Sequence, residues 1–251
     1  MSRLAVHNIR RHFGALRAVD GISFELEPGE ICGLVGPNGS GKTTLLNLVS
    51  GVLGPTGGRL SIDGTDVTAS RAFEVSRMGV SRTFQLLRLL PTASARENVL
   101  AGLYKEAPDR RLSKAVVPIA TRHRRRELLR RVDETLGRLG LLDVAAVPVR
   151  ELPFGLQRRV ELARAVVSAP RLLLLDEPAA GTTDGDMRRI GAIVDEEGRR
   201  GCAVILVDHH LRFVMEVCPR LIVMNFGTTI YDGPGEEAVA DAAVVEAYVG
   251  A

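Results

Sequence analysis

Aromatic residues make up 4% of this 251-residue chain, which has three cysteines, three lysines and no long apolar run. Each shortage closes off a class of protein. Leu172 to Leu175 is typical of its aliphatic runs, far short of the roughly 20 residues that a transmembrane helix needs. The opening Met1-Ser2-Arg3-Leu4-Ala5 carries no apolar signal segment. Cys32, Cys202 and Cys218 are odd in number and lack metal-ligand spacing, so they read as reduced thiols of a cytoplasmic protein. No aromatics interleave with the basic run from Arg122 to Arg131, so no nucleic-acid partner is expected. That run reads as a solvated helix face with Glu127–Arg131 and Arg130–Glu134 pairs, or as a contact for lipid headgroups.

What is present suits a globular chain: 45% hydrophobic and 25% charged residues, enough to bury a sizeable core and to exclude disorder as the main state. The length fits one large domain, or one domain with a subdomain. Net charge is +3, and of the 33 basic residues only Lys42, Lys105 and Lys114 are lysine. Where arginine is accepted almost everywhere, a retained lysine marks a place where the broad guanidinium does not serve.

Periodicity gives an α/β organisation. Ile22, Phe24 and Leu26 alternate with polar residues, which predicts a half-buried strand within a strand-rich first thirty residues. Pro28-Gly29-Glu30 is a turn, Ile31 to Val35 a buried strand, and Gly41 to Ser50 a helix. Gly54 to Gly58 reads as loop, with a short strand from Arg59 to Asp63. Pro91 to about Val149 has helical periodicity. Leu172 to Leu175, Ala203 to Val207 and Leu221 to Met224 are short aliphatic strands between helical stretches, the pattern of a largely parallel sheet.

Gly36-Pro37-Asn38-Gly39-Ser40-Gly41-Lys42-Thr43, followed by Thr44, fits G-x-x-x-x-G-K-[ST] between a strand and a helix. At this composition about 0.003 matches are expected by chance. Glycines let backbone N–H groups close around phosphate oxygens, and the helix N-terminus adds positive potential. Lys42 can reach the β- and γ-phosphates, and the Thr43 hydroxyl can ligate Mg²⁺. Downstream, Leu172 to Leu175 ends in Asp176-Glu177. Asp176 is then placed to hold Mg²⁺ opposite Thr43, and Glu177 to activate a water against the γ-phosphate. No guanine-reading N-K-x-D segment accompanies them, and a small-molecule kinase would not need Glu177.

The remaining motifs resemble those of ABC-type ATPases, in the family's order and over essentially the whole chain. Arg82-Thr83-Phe84-Gln85 resembles the Q-loop, which implies that Gln85 meets the metal and the attacking water. Leu152-Pro153-Phe154-Gly155-Leu156-Gln157-Arg158-Arg159 stands in the place of the signature motif. Ala180-Gly181-Thr182-Thr183 occupies the D-loop, and Leu206-Val207-Asp208-His209 resembles the switch segment, with His209 as γ-phosphate sensor. Phe13 stands where the family stacks an aromatic on adenine, with Val19 beside it. Adjacent His209 and His210, read as strand neighbours, point to opposite faces and share no metal.

The resemblance implies a P-loop NTPase core (1–90 and 155–251) with an N-terminal antiparallel β subdomain and an inserted α-helical subdomain (91–154). It also implies ATP and Mg²⁺ as cofactors. The signature departs from the family pattern: Pro153 replaces a serine, Phe154 a glycine and Leu156 a glutamine, whereas Gly155, Gln157 and Arg158 are kept. In this family the signature of one subunit completes the nucleotide site of the other. A full catalytic set beside an atypical signature therefore suits a heterodimer. The variant, with Val160-Glu161-Leu162-Ala163-Arg164-Ala165, Asp176 to Gly181 and Glu246 to Gly250, resembles Liv-type ATPases of branched-chain amino acid importers, the G-type more than its companion. That implies a second ATPase subunit, two transmembrane permease subunits, an extracytoplasmic binding protein, and a place on the cytoplasmic face of the membrane. A groove near Gln85 to Pro91 would receive a helix of the membrane subunit. Import of urea or short amides, a soluble non-transport ABC ATPase, and a nucleotide-holding regulatory module stay open as alternatives.

Lys42→Ala is expected to weaken MgATP binding, and Lys42→Arg to restore it incompletely, because the guanidinium is too large for a loop shaped around an ammonium. Titration of the purified chain with ATP checks this; equal affinity of the arginine variant would contradict it.

Overall fold

A computed structural model describes residues 2–103 and 119–249. Lys105, Lys114, Gly250 and residues 104–118 of the helical stretch lie outside the described residues.

The architecture follows from alternation within short aliphatic strands. In β7 (Leu172–Asp176) and β8 (Ala203–Val207) every residue is buried. Leu172, Leu174, Ala203, Ile205 and Val207 face one core, while Leu173, Leu175, Val204 and Leu206 face another. A strand that is aliphatic at every position must be covered on both faces. These strands belong to a six-stranded sheet with β3 (Ile31–Val35), β6 (Val80–Arg82), β9 (Arg220–Asn225) and β10 (Thr228–Pro234), in the order β10-β9-β3-β8-β7-β6. All neighbours are parallel except β9 and β10, which form a hairpin.

One face is covered by an antiparallel sheet of β1 (Leu4–Phe13), β2 (Leu16–Leu26), β4 (Gly57–Ile62) and β5 (Thr65–Asp66), in the order β2-β1-β4-β5, together with α1 (Lys42–Val49). The other is covered by α3 (Ala95–Ala101), α4 (Ile119–Arg138), α5 (Phe154–Val166), α6 (Asp184–Arg199) and α7 (Leu211–Val217). A short α2 (Ala72–Arg77) precedes β6, and α8 (Gly235–Ala238) and α9 (Ala242–Val249) follow β10. Among the described residues no helix is long and apolar enough to cross a membrane.

Local chemistry sets the helix ends. The Ser94 hydroxyl accepts from the Glu97 N–H at 3.2 Å, and the Glu97 carboxylate accepts from the Ser94 N–H at 2.8 Å, a capping box at the start of α3. Thr183 and Asp186 repeat the device at α6. Asn98, fully buried, accepts from the Leu90 N–H and donates to the carbonyls of Leu90, Ala93 and Ser94, which ties the turn before α3 to the helix. Arg138 at the end of α4 pairs with Glu196 and Glu197 of α6. In the basic run Arg130 pairs with Glu127 and Glu134 along the exposed side of α4.

Two boundaries differ from expectation. β4 begins at Gly57 rather than Arg59. β1 bulges at Asn8, whose φ is +47°, and a Cβ on Gly58 (φ +86°) would lie 2.2 Å from the Asn8 carbonyl oxygen. The glycine pair thus lets β4 approach the bulge, and does not mark a loop. The segment from Pro91 to Val149 is also less uniformly helical than its periodicity suggests, ending in 3-10 turns at Leu142–Val144 and Val149–Glu151. All three cysteines are free and buried, and burial pushes the Cys32 and Cys202 thiols up to about 12.

Leu173→Ala, which opens a cavity in a fully buried strand, is expected to cost about 2–5 kcal/mol. Leu86→Ala, at an exposed position, is expected to stay within about 0.5 kcal/mol of the parent. Urea denaturation of the two variants measures the contrast.

Candidate functional site

The loop between β3 and α1 is held from both sides. Gly36 has φ +144°, and a Cβ there would lie 2.1 Å from the Met224 carbonyl oxygen of β9. Gly41 has φ +106°, and its Cβ would lie 2.3 Å from the Ala18 carbonyl oxygen of β2. Glycine is required at both for space as well as backbone conformation. The Gly227 N–H at the β9–β10 turn donates to the Ser40 carbonyl at 3.0 Å, fastening the loop from a third direction. Inside it, Lys42 is 8% exposed, and Nζ donates to the Gly36 carbonyl (2.7 Å), the Pro37 carbonyl (2.8 Å) and Ser40 Oγ (3.3 Å). Burial lowers the Lys42 pKa, while Glu177 and Asp176 pull it upward. An anion entering the loop would compete with these three acceptors for the Lys42 ammonium, with the α1 N-terminus adding to the attraction.

The two acids at the end of β7 have opposite surroundings. Asp176 is the last residue of the strand and 2% exposed. Its Oδ2 accepts from Arg82 Nη2 at 3.0 Å and its N–H donates to Thr83 Oγ1 at 3.1 Å, but Oδ1 is buried without a hydrogen-bond partner. Burial raises its pKa, with Arg82 acting in the opposite direction. Glu177 turns out of the strand through a left-handed backbone, φ +52°, its N–H donating to the Val207 carbonyl at 2.7 Å. Such a conformation costs a non-glycine residue about 1–3 kcal/mol and clusters at functional sites. Its effect here is to carry the carboxylate to Gln85 and His209. Gln85 Nε2 donates to both Glu177 oxygens at 3.3 Å, and His209 Nε2 lies 2.8 Å from Oε1.

Phe13, Asn38, Gly39, Gly41, Lys42, Thr43, Thr44, Gln85, Glu177 and His209, all expected from the sequence, line one cleft of about 530 Å³. Gly36, Pro37, Ser40 and Asp176, also expected from the sequence, are not among its lining residues; the first three accept hydrogen bonds from Lys42. Phe13 is half exposed at the β1–β2 turn, with the Arg11 guanidinium 4.5 Å from its ring centroid. Val19 does not reach the cleft: it is 0% exposed within the core under the antiparallel sheet, and Leu16, Arg17 and Ala18 line that wall instead. His209 and His210 lie beyond the end of β8, not on it. They diverge because His210 Nδ1 bonds Asp208 Oδ1 at 2.8 Å. A cleft of about 650 Å³ between α6 and α7 is roomier, but it contains no phosphate-binding loop.

Three further residues take part: Asp208 and Arg158 lie within the switch and signature segments, whereas Phe226 carried no sequence signal. Asp208, nearly buried, accepts from the Ala179 N–H at 2.9 Å and from the His210 N–H at 3.0 Å, so it ties the turn after Glu177 to the histidine segment. Phe226, 85% exposed with φ +43°, lines the cleft from the β9–β10 turn. Arg158 donates to the carbonyls of Phe84 (3.1 Å) and Gln85 (2.7 Å), so α5 supports the segment carrying Gln85.

Pro153, Phe154, Gly155, Leu156 and Gln157 start α5 and do not line the cleft of their own chain. Pro153 is the N-cap and offers no side-chain bond. Gln157 Nε2 turns back to the Leu152 carbonyl at 2.8 Å. Gly155 lies against Asp186, where a Cβ would come 2.6 Å from Oδ2 and the carboxylate would have to shift. The exposed Phe154 ring packs at Gly181, where a Cβ would come within 2.9 Å of it.

The fit of a divalent cation rests on two features. Asp176 Oδ1 is a buried carboxylate oxygen with nothing to satisfy it, and the exposed Thr43 hydroxyl sits on the first turn of α1. Among the described residues no group of three or more His, Cys, Asp or Glu could cage a metal. A hydroxyl, one carboxylate and phosphate oxygens suit Mg²⁺, which keeps several waters and is shared with its nucleotide.

Residues 19–180 match the sequence profile of the ABC transporter family. The chain is 36% identical over 248 residues to the high-affinity branched-chain amino acid transport ATP-binding protein LivG of Salmonella typhimurium, covering 98% of this chain and 97% of that protein. It is 33% identical over 253 residues to the corresponding BraF of Pseudomonas aeruginosa, covering 100% and 99%. It superposes on crystal structures of a nucleotide-free ATP-binding cassette from an ABC transporter and of such a cassette in its ADP conformation. For each the TM-score is 0.84, the identity 29%, and 100% of both chains is covered.

Gly36→Ala is expected to abolish measurable ATP binding, because its Cβ meets fixed backbone. Gly39→Ala, whose Cβ meets nothing within 4 Å, carries only the strain of φ +78°, about 1–2 kcal/mol, and should still bind. ATP titration of the two variants compares a steric block with a purely conformational cost.

Proposed function

The chain belongs to the ABC transporter family, and we propose that it is the ATP-binding and ATP-hydrolysing subunit of an importer for branched-chain amino acids. The observation that carries hydrolysis is the contact of the Glu177 carboxylate with both Gln85 and His209 at the mouth of the Lys42 loop. The names of the LivG and BraF relatives support the cargo.

In this reading adenine stacks on Phe13, and the backbone amides of residues 36–43 with Lys42 receive the phosphates. Thr43, Asp176 and Gln85 would hold Mg²⁺, which would supply positive charge to offset that of the phosphates. Glu177 accepts a proton from the attacking water as general base. His209 contacts the γ-phosphate and fixes the Glu177 carboxylate, and Gln85 orients the water between them. The left-handed turn at Glu177 and the Asp208 clamp fix these side chains relative to one another, the kind of preorganisation that electrostatic stabilisation of a transition state uses.

The signature face, Pro153 to Gln157 with the adjoining Phe154–Gly181 contact, completes a site on a second ATPase subunit. Pro153 brings a rigid φ to the start of α5 but no hydroxyl for a neighbour's γ-phosphate. The site built on Lys42 and Glu177 is then completed by a partner signature closer to the family pattern, which favours a heterodimer. Two transmembrane permease subunits and an extracytoplasmic binding protein complete the system, with this chain peripheral on the cytoplasmic face of the membrane.

Glu177→Gln is expected to keep ATP affinity and lose turnover by on the order of 10²-fold or more, the scale of a removed general base. Steady-state ATPase of the assembled complex, paired with ATP titration, measures both; near-normal turnover would remove Glu177 from the mechanism.

A further inference from the structure

Arg82 ends β6, in register with Leu174 and two residues before Asp176 on β7. Its side chain is 6% exposed, yet it contacts acceptors on two separate elements. Nη2 donates to Asp176 Oδ2 at 3.0 Å. Nη1 donates to Asn47 Oδ1 at 2.7 Å and to Ser50 Oγ at 3.0 Å. Asn47 lies in the last turn of α1 and Ser50 caps it, its hydroxyl donating to the Leu46 carbonyl at 2.7 Å. One guanidinium thus joins the carboxylate at the end of β7 to the helix whose first turn carries Lys42 and Thr43.

This division of donors decides the state of Asp176. An unconstrained arginine–carboxylate pair is commonly bidentate, with both oxygens occupied. Here Nη1 is committed to α1 and Nε, also buried, meets no acceptor, so Oδ2 alone is occupied and Oδ1 is left buried and unpartnered. Leaving such an oxygen unsatisfied costs free energy that a bound cation recovers. Lysine puts its three N–H groups on one nitrogen and lacks the planar fork that here spans the gap between β7 and α1. The Arg82 guanidinium also lies 5.0 Å from the ring centroid of Phe84, the residue before Gln85, so the same side chain borders the Q-loop segment.

We propose that Arg82 is a positioning residue for cation binding: anchored to Asn47 and Ser50, it holds Asp176 through Oδ2 alone and keeps Oδ1 free for the divalent ion that accompanies the nucleotide. This rests on the reading of Asp176 as a Mg²⁺ carboxylate.

The test is a Mn²⁺ titration of the ADP-loaded full chain, following loss of the free-ion EPR signal. Nucleotide binding in EDTA serves as the metal-free control, and thermal melting confirms that each variant is folded. Arg82→Met is expected to weaken Mn²⁺ about tenfold, the scale of a lost partner behind a metal ligand, while ADP binding in EDTA stays within about twofold of the parent. Arg82→Lys should fall between the two. The double variant Asn47→Ala/Ser50→Ala keeps the ion pair but frees it from α1, and should weaken Mn²⁺ about threefold. It carries the test alone if Arg82→Met does not fold. Unchanged Mn²⁺ affinity in these variants, or equal weakening of nucleotide with and without metal, would confine Arg82 to holding the fold. Asp176→Asn separates the two readings. If it leaves Mn²⁺ affinity unchanged, the assignment of Asp176 fails; if it weakens Mn²⁺ where Arg82→Met does not, only the role of Arg82 fails.

Discussion

Asp176 leaves β7 paired with Val207 of β8, and Arg82 of β6 pairs with Leu174 on the opposite side of β7. With β3 on the far side of β8, three parallel strands end at one edge of the sheet. The loop to Lys42, the turn at Glu177 and the segment to His209 therefore emerge side by side. Open parallel sheets place their ligand sites at the carboxyl ends of the strands. A one-residue slip of β7 would exchange Leu173 and Leu175 with Leu172 and Leu174 between the two cores. The same slip would carry Asp176 away from Arg82 and Thr83.

Costly local arrangements collect at this edge. Lys42 is buried among carbonyls, Asp176 keeps an unsatisfied oxygen, and Glu177 stands in a left-handed conformation. None of these stabilises the fold. The surrounding core does: the aliphatic strands are covered on one side by the antiparallel sheet and α1, on the other by α3 to α7. Strain is retained where the scaffold over-determines it and where function uses it. Arg158, Asp208 and the Ser40–Gly227 bond fix the site segments to one another, so the site behaves as one unit rather than as separate loops.

Motifs whose meaning lies in local backbone chemistry were legible in the sequence. The glycine spacing before Lys42 and the aliphatic run before Asp176-Glu177 pointed to the candidate site, and the order of the motifs pointed to the family. What stayed hidden depends on tertiary approach. Val19 sits among residues that line the cleft, but the register shift that leaves Ala18 unpaired between Arg17 and Val19 turns Val19 into the core while Arg17 and Ala18 stay on the wall. Gly57 and Gly58 read as loop because the bulge at Asn8 that they accommodate lies far away in sequence. Arg82 is one arginine among thirty, and only the fold shows which acceptors it meets. The left-handed turn at Glu177 has no sequence signature, because glutamate carries no preference for it.

In the proposed mechanism one MgATP occupies the cleft at the ends of β3, β7 and β8. A crystal structure of the full chain carrying Glu177→Gln, grown with MgATP, measures this directly. The account predicts the base against Phe13, the phosphates within residues 36–43 at Lys42, and the metal between Thr43 and Asp176 Oδ1. Nucleotide bound in the roomier cleft between α6 and α7, or a metal with no contact to Asp176, would contradict it.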